Sequence, residues 1–207
     1  MEDTIAAIST PPGVGGIGII RISGPKARDI ACLLFRSSKM TDGFKSHQLY
    51  HGDIISPETG AIIDEVLISL MEKPRTYTGE DVLEIYCHGG SLILQSVLAE
   101  VIKAGARLAE PGEFTKRAFF NDRIDLSQAE AVADMIMAKT DRGLELAVSH
   151  LKGNLTEKIE TIRASIIDIL ALLEISIDFS DEDSAPGHPS GIAEDTGAII
   201  DELHKLA

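Results

Sequence analysis

Residues 49–71 read LYHGDIISPETGAIIDEVLISLM, which is two extended arms on either side of a turn. Residues 56–60, SPETG, are turn formers, whereas the arms are rich in apolar and β-branched side chains. This pattern predicts a β-hairpin. A hairpin among mixed strands and helices favours an α+β domain with a mixed sheet over a strictly alternating βαβ array.

Further strands and helices are predicted on both sides of the hairpin. Apolar, β-branched runs predict strands, and apolar residues at helical spacing predict helices. The predicted strands cover residues 4–9, 17–22 and 82–87, and the predicted helices cover residues 25–35 and 89–104. We therefore expect an α+β domain over residues 1–118.

The second half, residues 119–207, is predicted to be all-helical. Asp125 is a candidate N-cap for a helix over residues 126–139, with Gln128 three positions later as in a capping box. Apolar residues at spacings of three and four then predict one long helix over residues 144–177.

A third predicted helix lacks a stop signal. An acidic stretch containing Pro and Gly at residues 180–190 precedes it, and its apolar pattern starts near residue 192 and is still running at residue 207. Three helices of such unequal length cannot cover one another completely, which predicts a partner segment. A dimer, or an incidental end to the chain, explains the pattern equally well.

The composition is globular and the charge is uneven. Of the 207 residues, 44% are hydrophobic and 25% are charged. The net charge of −14 divides into −3 for residues 1–118 and −11 for residues 119–207. An acidic surface repels phosphate backbones, which nucleic-acid-binding proteins neutralise with Lys and Arg. The composition argues against direct RNA or DNA binding by the second half.

The cysteines and the N-terminus indicate a cellular compartment. Cys32 and Cys87 lie in apolar stretches without the spacing of a zinc site or a disulfide framework. A reduced cytoplasm fits this usage best. The N-terminus has no basic region followed by an apolar one, and no window approaches about 18 uncharged apolar residues. We therefore expect neither secretion nor a membrane span.

A glycine-rich loop at residues 11–18, PPGVGGIG, could bind an anion through its backbone N–H groups. The spacing Gly13-x-Gly15-x-x-Gly18 matches a dinucleotide-binding fingerprint, but a predicted strand follows it instead of a helix. The chain has no Gly-Lys dipeptide and therefore no Walker-type phosphate loop. A turn between two strands is the favoured interpretation.

Two charged residues interrupt apolar strands and are candidate ligand contacts. Arg21 and Glu84 lie within the strands predicted over residues 17–22 and 82–87. A charge in such a setting requires a partner or a wet cavity. Glu84 could accept two parallel N–H bonds from an amino-heterocycle, as carboxylates do from arginine. Two alternatives stay open: Arg21 extends to the sheet edge, or the two side chains form a structural Arg–Glu pair.

Other chemistry-bearing residues carry weaker signals. His88 beside Gly89 and Gly90 could be a general base, but no nucleophile elbow accompanies it, so a turn into the next helix is favoured. Nothing in the sequence activates Cys87 as a nucleophile. Residues 110–125 mix charge with paired aromatic residues near the domain junction, which is typical of a ligand-binding crevice or of a simple hinge.

Seven short motifs are together similar to one known family. They are DTIAA at residues 3–7, TPPG at 10–13, GIIRISG at 18–24, YTGEDVLE at 77–84, HGG at 88–90, PGEFT at 111–115 and IDLSQAEA at 124–131. In these motifs the chain resembles the MnmE, or TrmE, family of tRNA modification GTPases. The resemblance covers nearly the whole chain.

The resemblance implies a folate-binding dimer. In this family the N-terminal domain binds a one-carbon tetrahydrofolate, as a 5-formyl or methylene derivative, and forms a homodimer. A helical domain follows, and a Ras-like GTPase domain with GTP, magnesium and potassium sites is inserted into it. This chain stops where the inserted domain would begin, so we expect it to be part of a longer protein and assign none of those sites here.

Carried over by motif, the folate contacts fall on Arg21, Glu84 and Arg123. Some members have Lys at the third position; Arg keeps the charge but changes the hydrogen-bond geometry. Glu84 is expected to accept N–H bonds from the amino-pyrimidine edge of the pterin. Arg21 or Arg123 is expected to pair with the carboxylates of the folate.

The resemblance also implies a function and partners. The longer protein would modify the wobble uridine, U34, of certain tRNAs in the cytoplasm with a flavoprotein partner, MnmG or GidA, and with no membrane contact. The folate would supply the carbon, and no catalytic residue or metal site is implied in this chain. Two alternatives are an autonomous folate-dependent one-carbon transferase of the aminomethyltransferase type, and a non-catalytic dimerisation scaffold in which Arg21 and Glu84 pair with each other.

Overall fold

The computed structural model describes residues 3–38, 43–178 and 189–206. Its strands are β1 (Ile5–Ile8), β2 (Ile17–Ser23), β3 (Phe35–Arg36), β4 (Gln48–Ile55), β5 (Ile62–Met71), β6 (Val82–His88) and β7 (Arg107–Leu108). Its helices are α1 (Ala27–Leu34), α2 (Ser91–Lys103), α3 (Glu113–Phe120), α4 (Leu126–Met137), α5 (Asp141–Leu151), α6 (Asn154–Asp178) and α7 (Pro189–Leu206). The chain divides into two compact units, residues 1–129 and 130–207.

The first unit is built on one mixed sheet. The strand order is β3-β4-β5-β6-β2-β1-β7; β1 and β7 are parallel, and the other neighbours are antiparallel. The predicted hairpin is formed by β4 and β5, and the Ser56 N–H donates to the Ala61 carbonyl at 2.9 Å across its turn. Helices α1 and α2 belong to the same unit, so the α+β prediction is confirmed.

Alternation along the strands puts apolar side chains on one face of the sheet. Ile20 and Ile22 of β2, and Leu83 and Ile85 of β6, are at most 1% exposed. Helices α1 and α2 cover this face with Ala27, Ile30, Ala31, Leu34, Leu94, Val97 and Val101. The alternate residues of β2 and β6 therefore point to the opposite side, here called the open face, which carries Arg21, Glu84 and Tyr86.

The second unit is helical, but its apolar stripe belongs to two helices. α5 ends at Leu151 and α6 begins at Asn154. Between them, Gly153 has a φ of 83°, the left-handed conformation with which glycine commonly ends a helix. The prediction of one helix over residues 144–177 is therefore wrong. The spacing of three and four continues across the turn, so periodicity alone does not reveal the break.

The start of α4 agrees with its signal in the sequence. The capping box of α4 is confirmed: the Asp125 N–H donates to Gln128 Oε1 at 2.9 Å, and the Gln128 N–H donates to Asp125 Oδ1 at 2.8 Å. Most of the acidic stretch at 180–190, together with residue 207, lies outside the described residues. Within the described ranges, no helix has both the length and the apolar character needed to cross a membrane.

Candidate functional site

The two charged residues singled out in the strands meet on the open face. Antiparallel pairing of β2 with β6 places Arg21 directly opposite Glu84. Arg21 Nε donates to Glu84 Oε1 at 2.8 Å, and Nη2 lies 2.7 Å from the same oxygen. The side chains remain 30% and 13% exposed, respectively. The pair is therefore accessible from solvent and does not lie in a packed interior.

Tyr86 is a second hydrogen-bond donor to this carboxylate. It lies two positions after Glu84 on β6, so both side chains are on the open face. Its hydroxyl donates to Glu84 Oε2 at 2.6 Å. Burial, followed by the hydrogen bond and the charge of Glu84, raises the pKa of Tyr86 to about 12. The phenol thus stays protonated and acts as a donor at neutral pH. No signal in the sequence around Tyr86 indicated this role.

Two aromatic rings enclose the Arg21 guanidinium. Its central carbon lies 5.4 Å from the ring centroid of Tyr77 and 5.9 Å from that of Phe114, within the range of cation–π attraction. The Tyr77 hydroxyl and the Thr115 hydroxyl are 2.8 Å apart and share a hydrogen bond. The segment before β6 and helix α3 therefore build one wall around the Arg21–Glu84 pair.

Arg123 is connected to the pair through that same segment. Its Nε donates to the Thr76 carbonyl at 3.1 Å, and Asn121 Nδ2 donates to the Thr78 carbonyl at 2.7 Å. These bonds hold the backbone on both sides of Tyr77. Of the three residues carried over by motif, the structure joins Arg21 to Glu84 directly and places Arg123 against the neighbouring backbone.

A buried arginine fixes α3 behind this wall. Arg117 has no exposed side-chain surface. Its Nη1 donates to the Asp3 carbonyl at 2.9 Å and to Glu80 Oε2 at 3.1 Å. Its Nη2 donates to Asp3 Oδ1 at 2.8 Å and to Glu113 Oε1 at 3.2 Å. Ser23, two residues after Arg21, donates to Glu80 at 2.8 Å. Because a buried charge is costly unless it is paired, these partners bind α3 to the segment before β6.

Glu113 is the most strongly perturbed carboxylate of this network. Arg107 Nη1 donates to Glu113 Oε2 at 2.8 Å. The hydrogen bond from Arg107 lowers the pKa of Glu113 to about 2 against the opposing effect of burial, and the Glu110 N–H and Arg117 add to the decrease. Glu113 is therefore ionised at neutral pH and keeps both arginines in place.

The remaining candidate residues lie elsewhere in the first unit. His88 ends β6 and leads into α2, as the favoured interpretation predicted. Burial, with the charge of Asp64, raises the pKa of Cys87 to about 12, so this thiol stays protonated and is a poor nucleophile. The glycine-rich loop connects the antiparallel strands β1 and β2. Within the described part of the chain, no group of three or more His, Cys, Asp or Glu side chains could hold a metal ion.

Comparison with known families accounts for both halves. The family described as GTP-binding protein TrmE N-terminus matches residues 4–123, and the family described as MnmE helical domain matches residues 126–207. The chain belongs to the MnmE family. Its MnmE membership also agrees with the seven motifs that mark the resemblance in sequence.

Individual members of the MnmE family are similar over the whole chain. The tRNA modification GTPase MnmE of Syntrophus aciditrophicus is 58% identical over 206 residues, which is 100% of this chain and 45% of the relative. The proteins of the same name from Acetivibrio thermocellus and Geobacter sulfurreducens are 53% and 51% identical, over 98% and 97% of this chain and 44% and 45% of their own lengths. The chain thus spans less than half the length of these relatives.

Proposed function

We propose that this chain is the folate-binding N-terminal part of a GTPase that modifies the wobble uridine, U34, of tRNA. The relatives carry the name tRNA modification GTPase, and this chain aligns with less than half of each. GTP hydrolysis, with magnesium and potassium, therefore belongs to a part of the longer protein that this chain does not include. Residues 1–118 form the folate-binding and dimerising domain in this proposal, and residues 119–207 begin the helical domain.

The single observation that carries the proposal is the partly exposed carboxylate of Glu84, paired with a guanidinium that two aromatic rings enclose. A carboxylate offers about four lone-pair positions. Arg21 uses Oε1 and Tyr86 uses one position on Oε2, so Glu84 retains acceptor capacity. A planar heterocycle with an N–H edge and an acidic tail matches this site, since Glu84 accepts from the edge. The tail of such a ligand extends away from that edge, so Arg123, and not Arg21, is the proposed partner of the acid.

The chain binds and orients a reduced folate in this proposal. When bound, the folate supplies the one-carbon unit for uridine, while the protein provides placement. Arg123 and Asn121 keep Tyr77 against Arg21, and Tyr86 keeps the Glu84 carboxylate in position. The proposed partners are a second copy of the chain, contacted through the N-terminal domain, the flavoprotein MnmG or GidA, and tRNA, all in the cytoplasm.

A titration with 5-formyltetrahydrofolate tests the proposal. Glu84→Gln removes the charge from the acceptor, and hydrogen bonds to charged groups contribute about 1.5–3 kcal/mol, so we expect roughly 10- to 100-fold weaker binding. Glu65→Gln is the matched control because Glu65 is also a strand carboxylate, 65% exposed and paired with His51. Equal affinities for Glu84→Gln and the wild type would remove Glu84 from the site.

The direct Arg21–Glu84 pair also favours a second candidate, a dimerisation scaffold that uses the pair only for stability. This alternative predicts that wild-type protein binds no reduced folate while its dimer remains intact. The folate titration separates the two candidates, and sedimentation velocity on the same samples checks that the dimer is intact, because it reports the dimer independently of ligand binding.

A further inference from the structure

A second pair of ionisable side chains lies outside the Arg21–Glu84 site, where β6 ends. Asp64 of β5 is 7% exposed, and each of its carboxylate oxygens contacts His88. Oδ2 accepts from the His88 backbone N–H at 2.8 Å, and Oδ1 is 2.6 Å from the ring nitrogen Nδ1. Two contacts with one residue fix both its backbone and its ring. The His88 side chain nevertheless remains 65% exposed.

The buried carboxylate determines the tautomer of the imidazole. An ionised carboxylate can only accept hydrogen bonds, so the hydrogen of the neutral ring resides on Nδ1. The lone pair of Nε2 is then available at the exposed part of the side chain. A carboxylate that orients a histidine in this way is the arrangement by which proteins prepare a general base.

The other two histidines of the first unit, His47 and His51, lack this arrangement. His51 Nε2 lies 3.0 Å from Glu65, and both of those side chains are more than half exposed. His47 contacts Ser46 through Nδ1 at 2.7 Å and the Arg75 carbonyl through Nε2 at 2.8 Å. Neither residue combines a buried carboxylate at Nδ1 with an available Nε2.

Close backbone packing holds the position of His88. The Gly89 N–H donates to the Gly16 carbonyl at 3.3 Å. A Cβ atom at Gly89 would lie only 2.3 Å from the Gly15 carbonyl oxygen, so glycine is needed for this approach. The glycine-rich loop therefore packs directly against the residue after His88. A proton acceptor must be held in a fixed position, and this backbone packing provides the rigid support.

We propose that His88, oriented by Asp64, is the proton-transfer residue of the one-carbon chemistry; this inference rests on the proposed function. His88 follows Glu84 by four positions on β6, so the backbone positions of the two residues are roughly 13 Å apart at ~3.4 Å per residue. A folate, with a two-ring pterin joined to a benzoyl group and a glutamate, is long enough to extend over such a distance. A folate bound at Glu84 is therefore long enough to reach His88 along the strand.

The step is a proton transfer without oxidation or reduction. The uridine atom that receives the one-carbon unit loses its hydrogen. The bond to hydrogen breaks, the proton forms a bond to His88 Nε2, and the electron pair stays on the uridine atom. Asp64 then accepts a hydrogen bond from Nδ1 of the imidazolium and compensates its positive charge.

The first test measures the nucleophilicity of Nε2 in the full-length protein. Diethyl pyrocarbonate modifies unprotonated imidazole nitrogen, and peptide mass spectrometry reports each histidine separately. In Asp64→Asn the amide carbonyl can still accept the His88 backbone N–H while its NH₂ donates to Nδ1, which moves the ring hydrogen to Nε2. We expect slower modification of His88 in this variant and an unchanged rate at His51. An unchanged rate at His88 would overturn the inference.

The second test compares turnover with ligand binding. The His88→Gln variant of the full-length protein is assayed with its flavoprotein partner and tRNA. It should form modified uridine more slowly by a factor of about 100 or greater, while its affinity for 5-formyltetrahydrofolate is unchanged. Added imidazole should partly restore His88→Ala, and His51→Gln should retain wild-type turnover. If His88→Gln turns over at the rate of His51→Gln, the inference alone fails. If the wild type binds no folate, the proposed function fails, and this inference fails with it.

Discussion

Replacing Arg117 by methionine should destabilise the first unit strongly. Methionine keeps an unbranched apolar stem like that of arginine but removes the guanidinium, whose charge Asp3, Glu80 and Glu113 share. Removing one member of a buried ionic network costs about 3–5 kcal/mol, because its partners are left without compensation. The cost here should fall at the lower end, near 3 kcal/mol. Glu113 keeps Arg107, and Asp3 is half exposed, so the main loss is at Glu80, which is 11% exposed.

Urea denaturation followed by tyrosine fluorescence measures this effect. The chain has three tyrosines, at positions 50, 77 and 86, and no tryptophan, so the signal reports on the first unit. With a denaturant dependence of about 2 kcal/mol per molar urea, a loss near 3 kcal/mol lowers the midpoint by roughly 1.5 M. Arg28→Met is the matched control, because Arg28 and its partner Glu72 are 40% and 47% exposed and such pairs contribute about 1 kcal/mol or less. Equal midpoints for the two variants would refute the reasoning about the buried network.

Two further perturbations test the same unit. As pH falls from about 5 toward 2, the urea midpoint should decrease. The pKa of Glu113 is about 2 in the folded chain, compared with an ordinary value of 4.5. Its contribution to the free energy of unfolding is therefore fully present above pH 4.5 and is lost as the pH falls to about 2. Glu113→Gln should flatten this decrease, and an equally steep profile would contradict the assignment. Gly89→Ala should cost about 1–3 kcal/mol by overpacking. Gly16→Ala is the control, because a Cβ at Gly16 would meet no atom within 4 Å. Identical urea midpoints for the two variants would show that the glycine-rich loop moves to accommodate the added methyl group, and would contradict the expected overpacking.

Local signals in the sequence were sufficient to predict much of the sheet and to identify two candidate site residues. Turn residues between apolar arms identified the hairpin, since turn chemistry and strand alternation act over a few residues. The capping box of Asp125 and Gln128 is local for the same reason. Arg21 and Glu84 stood out because each interrupts an apolar strand, and their cross-strand contact follows from the pairing of β2 with β6.

Features that depend on distant partners gave no comparable signal. Arg117 lies in a charged segment typical of a solvent-exposed surface, yet its partners Glu80 and Asp3 lie 37 and 114 positions away. In the sequence Tyr86 is an ordinary strand residue, and its hydrogen bond to Glu84 becomes evident only in the structure. Helix α3 has eight residues, as α1 does, but its charged sequence EFTKRAFF contains too few apolar residues at helical spacing to identify it. Gly153, in the turn after α5, is a local signal for the end of that helix, but the apolar spacing that continues past it concealed the break.

The attachment of Asp3 to Arg107 and Arg117 has a consequence for biosynthesis. These partners follow Asp3 by 104 and 114 residues, and β1 likewise pairs with the late strand β7. At about 5–20 residues per second, the ribosome supplies them roughly 5 to 20 s after Asp3 has been made. The first strand therefore waits with one edge unpaired while translation proceeds, and nascent chains that end before α3 should be the most accessible to chaperones and proteases.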